Sequence, residues 1–307
     1  MNHIASSLLY SDCEALLPVH NSLFFNDGKL RTSHNRQTSG RDLPRTSSWQ
    51  DILITGPSSD SIGAETATSL ACGSPAKIIL LNRSIDKIQP VIDYIKVISP
   101  DTQASFVQVS LESLNSIRSA AEKILRDPSI DKIDVLINNA GIMAAPYAVT
   151  EDGIESRFQI NHLAHFLLTA LLLPKITAPE SLGRVVNVSS YGNIFSDVRN
   201  DHTFDGGESY NPWLAYGQSK TANILHAVAL NQRYRGRGLK AFAVNPGSVP
   251  TNLRRFMTPE TMQAGMALHK EYGVTPPARK TLQQGCATTL RAALDPDLTR
   301  KLPRVGL

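Results

Sequence analysis

From Trp49 onward the chain alternates short β-rich apolar runs with longer amphipathic stretches. Runs such as Ile52-Leu53-Ile54 and Val185-Val186-Asn187-Val188 are continuous in their apolar character, the pattern of strands covered by helices on both faces. The pattern predicts strands over 51–55, 77–82, 105–109, 135–138, 184–189 and 240–245, with helices over 62–72, 85–98, 111–125, 151–173 and 213–234. Strand and helix units joined by right-handed crossovers make an α/β, doubly wound parallel sheet. No short repeat and no linker interrupts the pattern, so residues 49–307 are expected to form a single domain. Residues 28–48 carry almost no apolar periodicity and bury too little surface to offset their ordering entropy. Residues 1–48 are therefore expected to be a disordered or loosely packed N-terminal extension.

Composition narrows the class. With 307 residues two domains of average size would fit, but one large sheet accounts for the pattern without a second. The net charge of +4 is small and spread along the chain, which gives no basis for a nucleic-acid or membrane partner. Cys13, Cys72 and Cys286 are too scattered for a disulfide framework or a zinc cluster, so no metal is expected. The most apolar stretch, 166–173, ends at Pro174 and falls well short of the roughly 20 residues a membrane helix needs. Arg31, Arg36, Arg41 and Arg45 among Ser and Thr hint at a transit peptide, but Asp12, Glu14, Asp27 and Asp42 argue against one. A reducing, cytoplasmic location is expected.

Candidate chemistry lies at the carboxyl ends of the strands. Strand one runs into Thr55-Gly56-Pro57-Ser58-Ser59-Asp60-Ser61-Ile62-Gly63, with Gly56 at the tight turn and Gly63 at the helix entry. Such a turn lets a pyrophosphate approach the helix N-terminus, although a plain strand-to-helix turn has the same composition. At the end of strand two, where a carboxylate would hold the 2′-hydroxyl of NAD, stand neutral Asn82 and cationic Arg83. Arg83 can pair with a 2′-phosphate, which favours NADP(H); the alternative is a solvated loop residue. Asn138-Asn139-Ala140-Gly141 closes strand four with small residues where a cofactor would pass, and its Asn side chains can brace neighbouring strands; the same four residues also make an acceptable turn.

Tyr216 and Lys220 are four apart on a predicted helix and share one face. A nearby ammonium stabilises a phenolate, which makes the phenol a usable proton donor or acceptor. Strand five ends in Ser189-Ser190-Tyr191-Gly192, where a hydroxyl can donate to a carbonyl oxygen or simply satisfy local backbone. No Gly-x-Ser-x-Gly elbow accompanies the serines, against a serine hydrolase. Asn161, a poor helix former, falls inside the long predicted helix and interrupts its regular bonding or is tolerated on its face.

Taken in order, the Gly turn, Asn-Asn-Ala-Gly, the helix Asn, Ser-Ser, Tyr-x-x-x-Lys and Asn245-Pro246-Gly247 closely resemble the short-chain dehydrogenase/reductase family, in particular its retinol-dehydrogenase-like and secondary-metabolite reductase branches. The resemblance runs from about Trp49 to Asp297. It implies a Rossmann fold and a catalytic tetrad of Asn161, Ser190, Tyr216 and Lys220. Tyr216 would exchange a proton with substrate oxygen and Ser190 would orient that oxygen. Lys220 would bind the nicotinamide ribose, and Asn161 would hold a relay water. By the same likeness Val249 and Thr251 meet the nicotinamide end, Ile62 lies beside the pyrophosphate, and 250–275 forms a mobile substrate lid in which Met257, Met262 and Met266 make an adaptable wall or simply pack. Relatives also pair through long helices such as 151–173 and 213–234, so a homo-oligomer is implied.

The cofactor set expected is Gly56, Ile62, Gly63, Arg83, Asn139, Gly141, Tyr216, Lys220, Val249 and Thr251, and the activity an NADP(H)-dependent interconversion of carbonyl and alcohol on an apolar small molecule. Three departures from the family pattern leave an alternative, a catalytically impaired dinucleotide-binding protein. Asp60-Ser61 replaces the middle glycine of the turn, Ser110 stands where an Asp would meet adenine, and a last edge strand is expected to be missing after Lys301.

Overall fold

The computed structural model describes residues 24–26, 29–31, 51–179, 181–201 and 203–300. Two short strands, β1 (Phe24–Asn26) and β2 (Lys29–Arg31), pair antiparallel within the segment expected to be disordered. The rest of that expectation lies outside the described residues.

The main sheet comprises β3 (Asp51–Thr55), β4 (Lys77–Asn82), β5 (Gln103–Gln108), β6 (Val135–Asn138), β7 (Arg184–Val188) and β8 (Lys240–Val244), all parallel, in the order β5-β4-β3-β6-β7-β8. Strand order reverses between β3 and β6, which opens a crevice at their carboxyl ends. Because successive side chains point to opposite faces, the apolar runs feed two cores. Leu53, Ile79, Leu136 and Val185 pack on one side with α3 (Leu114–Arg126), α5 (Ala164–Ile176) and α6 (Pro212–Tyr234). Ile52, Ile54, Ile78 and Val186 pack on the other with α1 (Ile62–Ala71), α2 (Gln89–Ile98) and α8 (Leu282–Leu294). Each such fully buried Leu or Ile contributes about 1.5–3 kcal/mol relative to exposure.

Several element boundaries differ from the sequence expectation for local reasons. Pro90 starts α2 in its first turn, where a missing N–H is no loss, and the preceding Ile85–Lys87 forms a separate 3-10 turn. The long helix expected over 151–173 starts as the short α4 (Ser156–Phe158), passes through a π-helical turn at Gln159–Leu163 and continues as α5. Two helices had no counterpart in the sequence reading: α7 (Pro259–Glu271) and α8, followed by the single turn α9 (Asp297–Arg300). β8 forms one edge of the sheet, and among the described residues no strand pairs with its outer side. Asn231 of α6 covers part of that edge, donating to the Ala241 carbonyl at 2.7 Å and accepting from the Ala241 N–H at 3.0 Å. Among the described residues no helix is long and apolar enough to cross a membrane.

Candidate active site

A cleft of about 360 Å³ runs along the carboxyl edge of the sheet, and Gly56, Ile62, Gly63, Arg83, Asn139, Gly141, Ser190, Tyr216, Lys220, Val249 and Thr251 all line it. At its start the chain leaves β3 through Gly56 at φ +67°, and a Cβ there would fall 2.9 Å from the Ala140 Cα. Backbone must therefore pass backbone at this point, and only glycine permits it. Ser61 caps α1 by accepting from the Ala64 N–H at 3.1 Å, which leaves the helix N-terminus open to the cleft. Asp60, the departure from the expected turn, adopts φ +57°, a left-handed conformation that Asp tolerates, and is exposed. It is not part of the cleft wall, whereas its neighbours Ser59 and Ser61 are.

Buried polar contacts lock the wall behind the cleft. Thr55 Oγ1 accepts from the Asn139 and Ala140 N–H groups at 2.9 and 3.1 Å and pairs with His165 Nε2 at 2.8 Å. Asn139 Nδ2 donates to the Thr55 carbonyl at 2.9 Å, and a Cβ on Gly63 would sit 2.5 Å from that nitrogen. Asn138 Nδ2 reaches Asn187 Oδ1 at 2.9 Å, so these Asn side chains brace β3, β6 and β7 as their residue type suggests. Gly285 of α8, absent from the sequence reading, lets that helix approach: a Cβ there would lie 2.6 Å from Val249 Cγ2 and 3.5 Å from Ile62 Cγ1.

At the inner end, α6 starts at Asn211, whose Oδ1 accepts from the Trp213 and Leu214 N–H groups at 2.9 and 3.2 Å. One turn later Tyr216 is 4% exposed, and Lys220 is also 4% exposed. Lys220 Nζ lies 5.5 Å from the Tyr216 ring centroid and donates to the Val188 carbonyl at 2.9 Å. The two serines divide: Ser189 Oγ donates to the Lys220 carbonyl at 2.8 Å, whereas the Ser190 side chain hydrogen-bonds Tyr216 and accepts from the Gly192 N–H at 3.1 Å. Burial pushes the Tyr216 phenol above its usual range, and the Ser190 bond pulls the other way. Burial also draws the Lys220 ammonium down to about 8. The lowering expected from Lys220 is not what sets the phenol, which responds to burial first and to Ser190 second; the ammonium sits over the ring and donates to a carbonyl.

Asn161 occupies the π-helical turn. Its Oδ1 accepts from the Ile142 N–H at 2.8 Å and its Nδ2 donates to the Ile142 carbonyl and Ser219 Oγ, both at 3.0 Å. Gly141 lies beside it in a close fit: a Cβ would stand 3.1 Å from Asn161 Oδ1 and 3.6 Å from Lys220 Nζ. Asn161 therefore ties the Asn-Asn-Ala-Gly segment to α6.

The segment expected as a lid contains α7, docked on α6 and on the Tyr191–Phe195 turn. Trp213 Nε1 donates to the Thr261 carbonyl at 2.8 Å, and Gly265 lies under its ring, where a Cβ would be 2.7 Å away. Tyr272 OH donates to the Phe195 carbonyl at 3.2 Å. Met262 and Met266 are 46% and 69% exposed, and neither they nor Met257 line the cleft.

Three imidazoles near the site, buried His165 and His226 and half-buried His162, are held neutral: desolvation lowers His162, takes His226 to about 4 and takes His165 to about 3. Their native values lie below the unfolded one near 6.5. The stability they carry is complete above pH 6.5 and is lost as pH falls toward 4, by about 2 kcal/mol each for His165 and His226 between pH 7 and 5. Asp51, raised to about 6 by burial, works in the opposite sense over the same range. A paired comparison isolates the histidine: in urea titrations at pH 7 and pH 5, His226→Gln should lose about 2 kcal/mol less than the parent chain on acidification. Parallel losses in the two proteins would refute the assignment.

Residues 50–261 match the family model described as short chain dehydrogenase. The chain is 38% identical over 262 residues to the short-chain dehydrogenase/reductase prx1 of Penicillium roqueforti, covering 83% of this chain and 73% of that protein. It is 36% identical over 249 residues to retinol dehydrogenase 12 of Mus musculus, covering 80% of this chain and 74% of the relative. Among solved structures, the NADPH-bound carbonyl reductase from chicken fatty liver superposes with a TM-score of 0.56 at 20% identity, covering 80% of this chain and 91% of that one.

Proposed function

Because the chain belongs to the short-chain dehydrogenase/reductase family, we propose that it is an NADP(H)-dependent oxidoreductase interconverting a carbonyl and an alcohol on an apolar small molecule. The observation that carries this reading is the cluster of half-buried Ser190 with buried Tyr216 and Lys220 at the inner end of a cleft whose outer end is lined by Gly56, Gly63 and Arg83. The cleft fits a dinucleotide: its glycines leave the close approaches free of side chains, the α1 N-terminus opens into it, and a cation stands at its rim. Gly56, Ile62, Gly63, Asn139 and Gly141 would hold the pyrophosphate half, and Lys220, Val249 and Thr251 the nicotinamide half. The bound nicotinamide supplies or takes up the hydrogen and two electrons of the reaction.

The chain's own residues then move one proton. Tyr216, kept protonated by burial, donates its hydroxyl proton to the carbonyl oxygen as that oxygen gains charge, and recovers it in the oxidative direction. Ser190, already bonded to Tyr216, holds the same oxygen in place. Lys220 stabilises the phenolate that proton transfer leaves. Asn161 fixes the backbone at Ile142 and is proposed to hold a relay water. The retinol-dehydrogenase name of the mouse relative supports an apolar alcohol or carbonyl as substrate, and a role in secondary metabolism is part of the proposal. We further propose a cytoplasmic location, and a homo-oligomer on the strength of the exposed apolar side chains of Phe166, Leu225 and Val228 on α5 and α6.

A panel of apolar aldehydes and ketones, followed by NADPH consumption, tests the activity; absence of turnover with every member would count against it. Arg83 tests the cofactor. Its guanidinium is exposed and pairs with Glu112 at 3.4 Å, so Arg83→Ala should leave the fold intact. The variant should weaken NADPH binding about tenfold and leave NADH binding within twofold, read by nicotinamide fluorescence. An unchanged preference for NADPH would overturn the assignment.

A further inference from the structure

Three charged residues besides Arg83 line the outer end of the cleft, Lys87, Glu112 and Arg255, and the sequence reading assigned none of them. Glu112, shortly after β5, approaches Arg83 Nη1 with Oε2 at 3.4 Å, the two side chains being 54% and 65% exposed. Arg255 follows the 3-10 turn Asn252–Arg254 beyond β8 and lines the same cleft. Partial burial draws its proton affinity down, and Arg83 and Glu112 are near enough to lower it further and to raise it, respectively. Its own loop orients it: Nη1 donates to the Asn252 carbonyl at 3.2 Å, and the guanidinium lies 4.6 Å from the Phe256 ring centroid. Neither contact neutralises its charge. The rim therefore holds two guanidinium groups, drawn from different strands of the sheet, and the Lys87 ammonium against one carboxylate, a net charge of about +2. Such an arrangement is balanced by an anion of more than unit charge, and a phosphate monoester accepts from two guanidinium groups at once.

We propose that Arg255 is a second specificity-determining residue, forming with Arg83 a two-arginine clasp for the phosphate on the 2′ position of the adenosine ribose, with Glu112 as the competing anion that this phosphate displaces. The inference rests on the NADP(H) reading above. It also gives the segment after Thr251 a part in cofactor selection as well as in covering the substrate.

Calorimetric titration of the full chain with adenosine 2′,5′-bisphosphate and with 5′-AMP separates the ribose phosphate from the rest of the nucleotide without any turnover. Arg255→Ala should weaken the bisphosphate about tenfold and leave 5′-AMP within twofold, while Glu112→Gln should tighten the bisphosphate several-fold. All three side chains are exposed, so unchanged melting temperatures are expected to accompany these shifts. Equal weakening of both nucleotides by Arg255→Ala, no weakening of either, or no tightening by Glu112→Gln would each overturn the clasp. If Arg83→Ala removes the discrimination while Arg255→Ala keeps it, the clasp alone fails; if Arg83→Ala also keeps it, the NADP(H) reading fails with it.

Discussion

Tyr216→Phe should lower kcat by about 10³-fold or more, leave NADPH binding within a few-fold and leave the melting temperature nearly unchanged. The ring is 4% exposed and supports the Tyr191–Phe195 turn, since a Cβ on Gly192 would come 3.0 Å from Tyr216 Cδ1. Phenylalanine keeps that packing. What it removes is the hydroxyl that is bonded to Ser190 and kept protonated by burial, on the ring that Lys220 Nζ faces at 5.5 Å from its centroid. Ser190 retains its bond from the Gly192 N–H, so the loss is confined to proton transfer. Ser190→Ala, which removes an orienting hydrogen bond and leaves the acid in place, should lower kcat less than Tyr216→Phe does. A Phe variant with more than a tenth of parental kcat would remove Tyr216 from the mechanism, and a variant that lost NADPH binding in proportion would make it a binding residue instead.

The strands were legible because their signal is strong and local: five consecutive buried residues in β3 and in β7 leave little alternative to a doubly covered sheet. The tyrosine and lysine were legible because a four-residue spacing on a helix fixes a shared face. Asn161 was half legible: its poor helix propensity marked the interruption, but the π turn and the paired bonds to Ile142 depend on a segment far away in sequence. The helix α8 was missed because its buried face, apart from Leu290, is built of Gly285, Cys286, Thr289, Ala292 and Ala293, small side chains that pack closely on α1 and leave only a faint apolar stripe. Its capping box at Thr281 and Gln284, and that of α7 at Thr258 and Thr261, were the available signals. Glu112 and Arg255 carry no local signal at all, since each gains its meaning only where the sheet edge brings it to Arg83.

The most consequential residue that the sequence hid is Arg157, for which substitution by Ala should destabilise the protein by about 3–5 kcal/mol. A charged side chain on a short helix ordinarily belongs in water, yet this one is 0% exposed, as is Glu155 beside it. Its Nη2 donates to the Ala145 and Pro146 carbonyls at 2.6 and 3.1 Å, its Nη1 to the Pro212 carbonyl at 3.2 Å, and its guanidinium covers the Tyr210 ring at 4.9 Å. Burial draws its proton affinity down to about 10, still well above neutral pH, so the charge is retained inside the fold. Truncation removes a donor from three carbonyls, of which Ala145 keeps the Tyr210 hydroxyl at 2.9 Å, and strands the Glu155 carboxylate, which also caps α4 through the Arg157 and Phe158 N–H groups at 3.0 and 2.8 Å. For a domain of this size the loss corresponds to a fall in Tm of about 6–20 °C. Pro212 opens the helix that carries Tyr216 one turn later, so kcat should fall further than NADPH affinity in whatever fraction remains folded. Replacing both charges, Glu155→Gln with Arg157→Met, should recover about 1–3 kcal/mol relative to the sum of the single changes, because the stranded charge is then gone. Additive single losses in that cycle, or a Tm within 2 °C for Arg157→Ala, would show that the guanidinium does not hold the 145–146 segment and the start of α6 together.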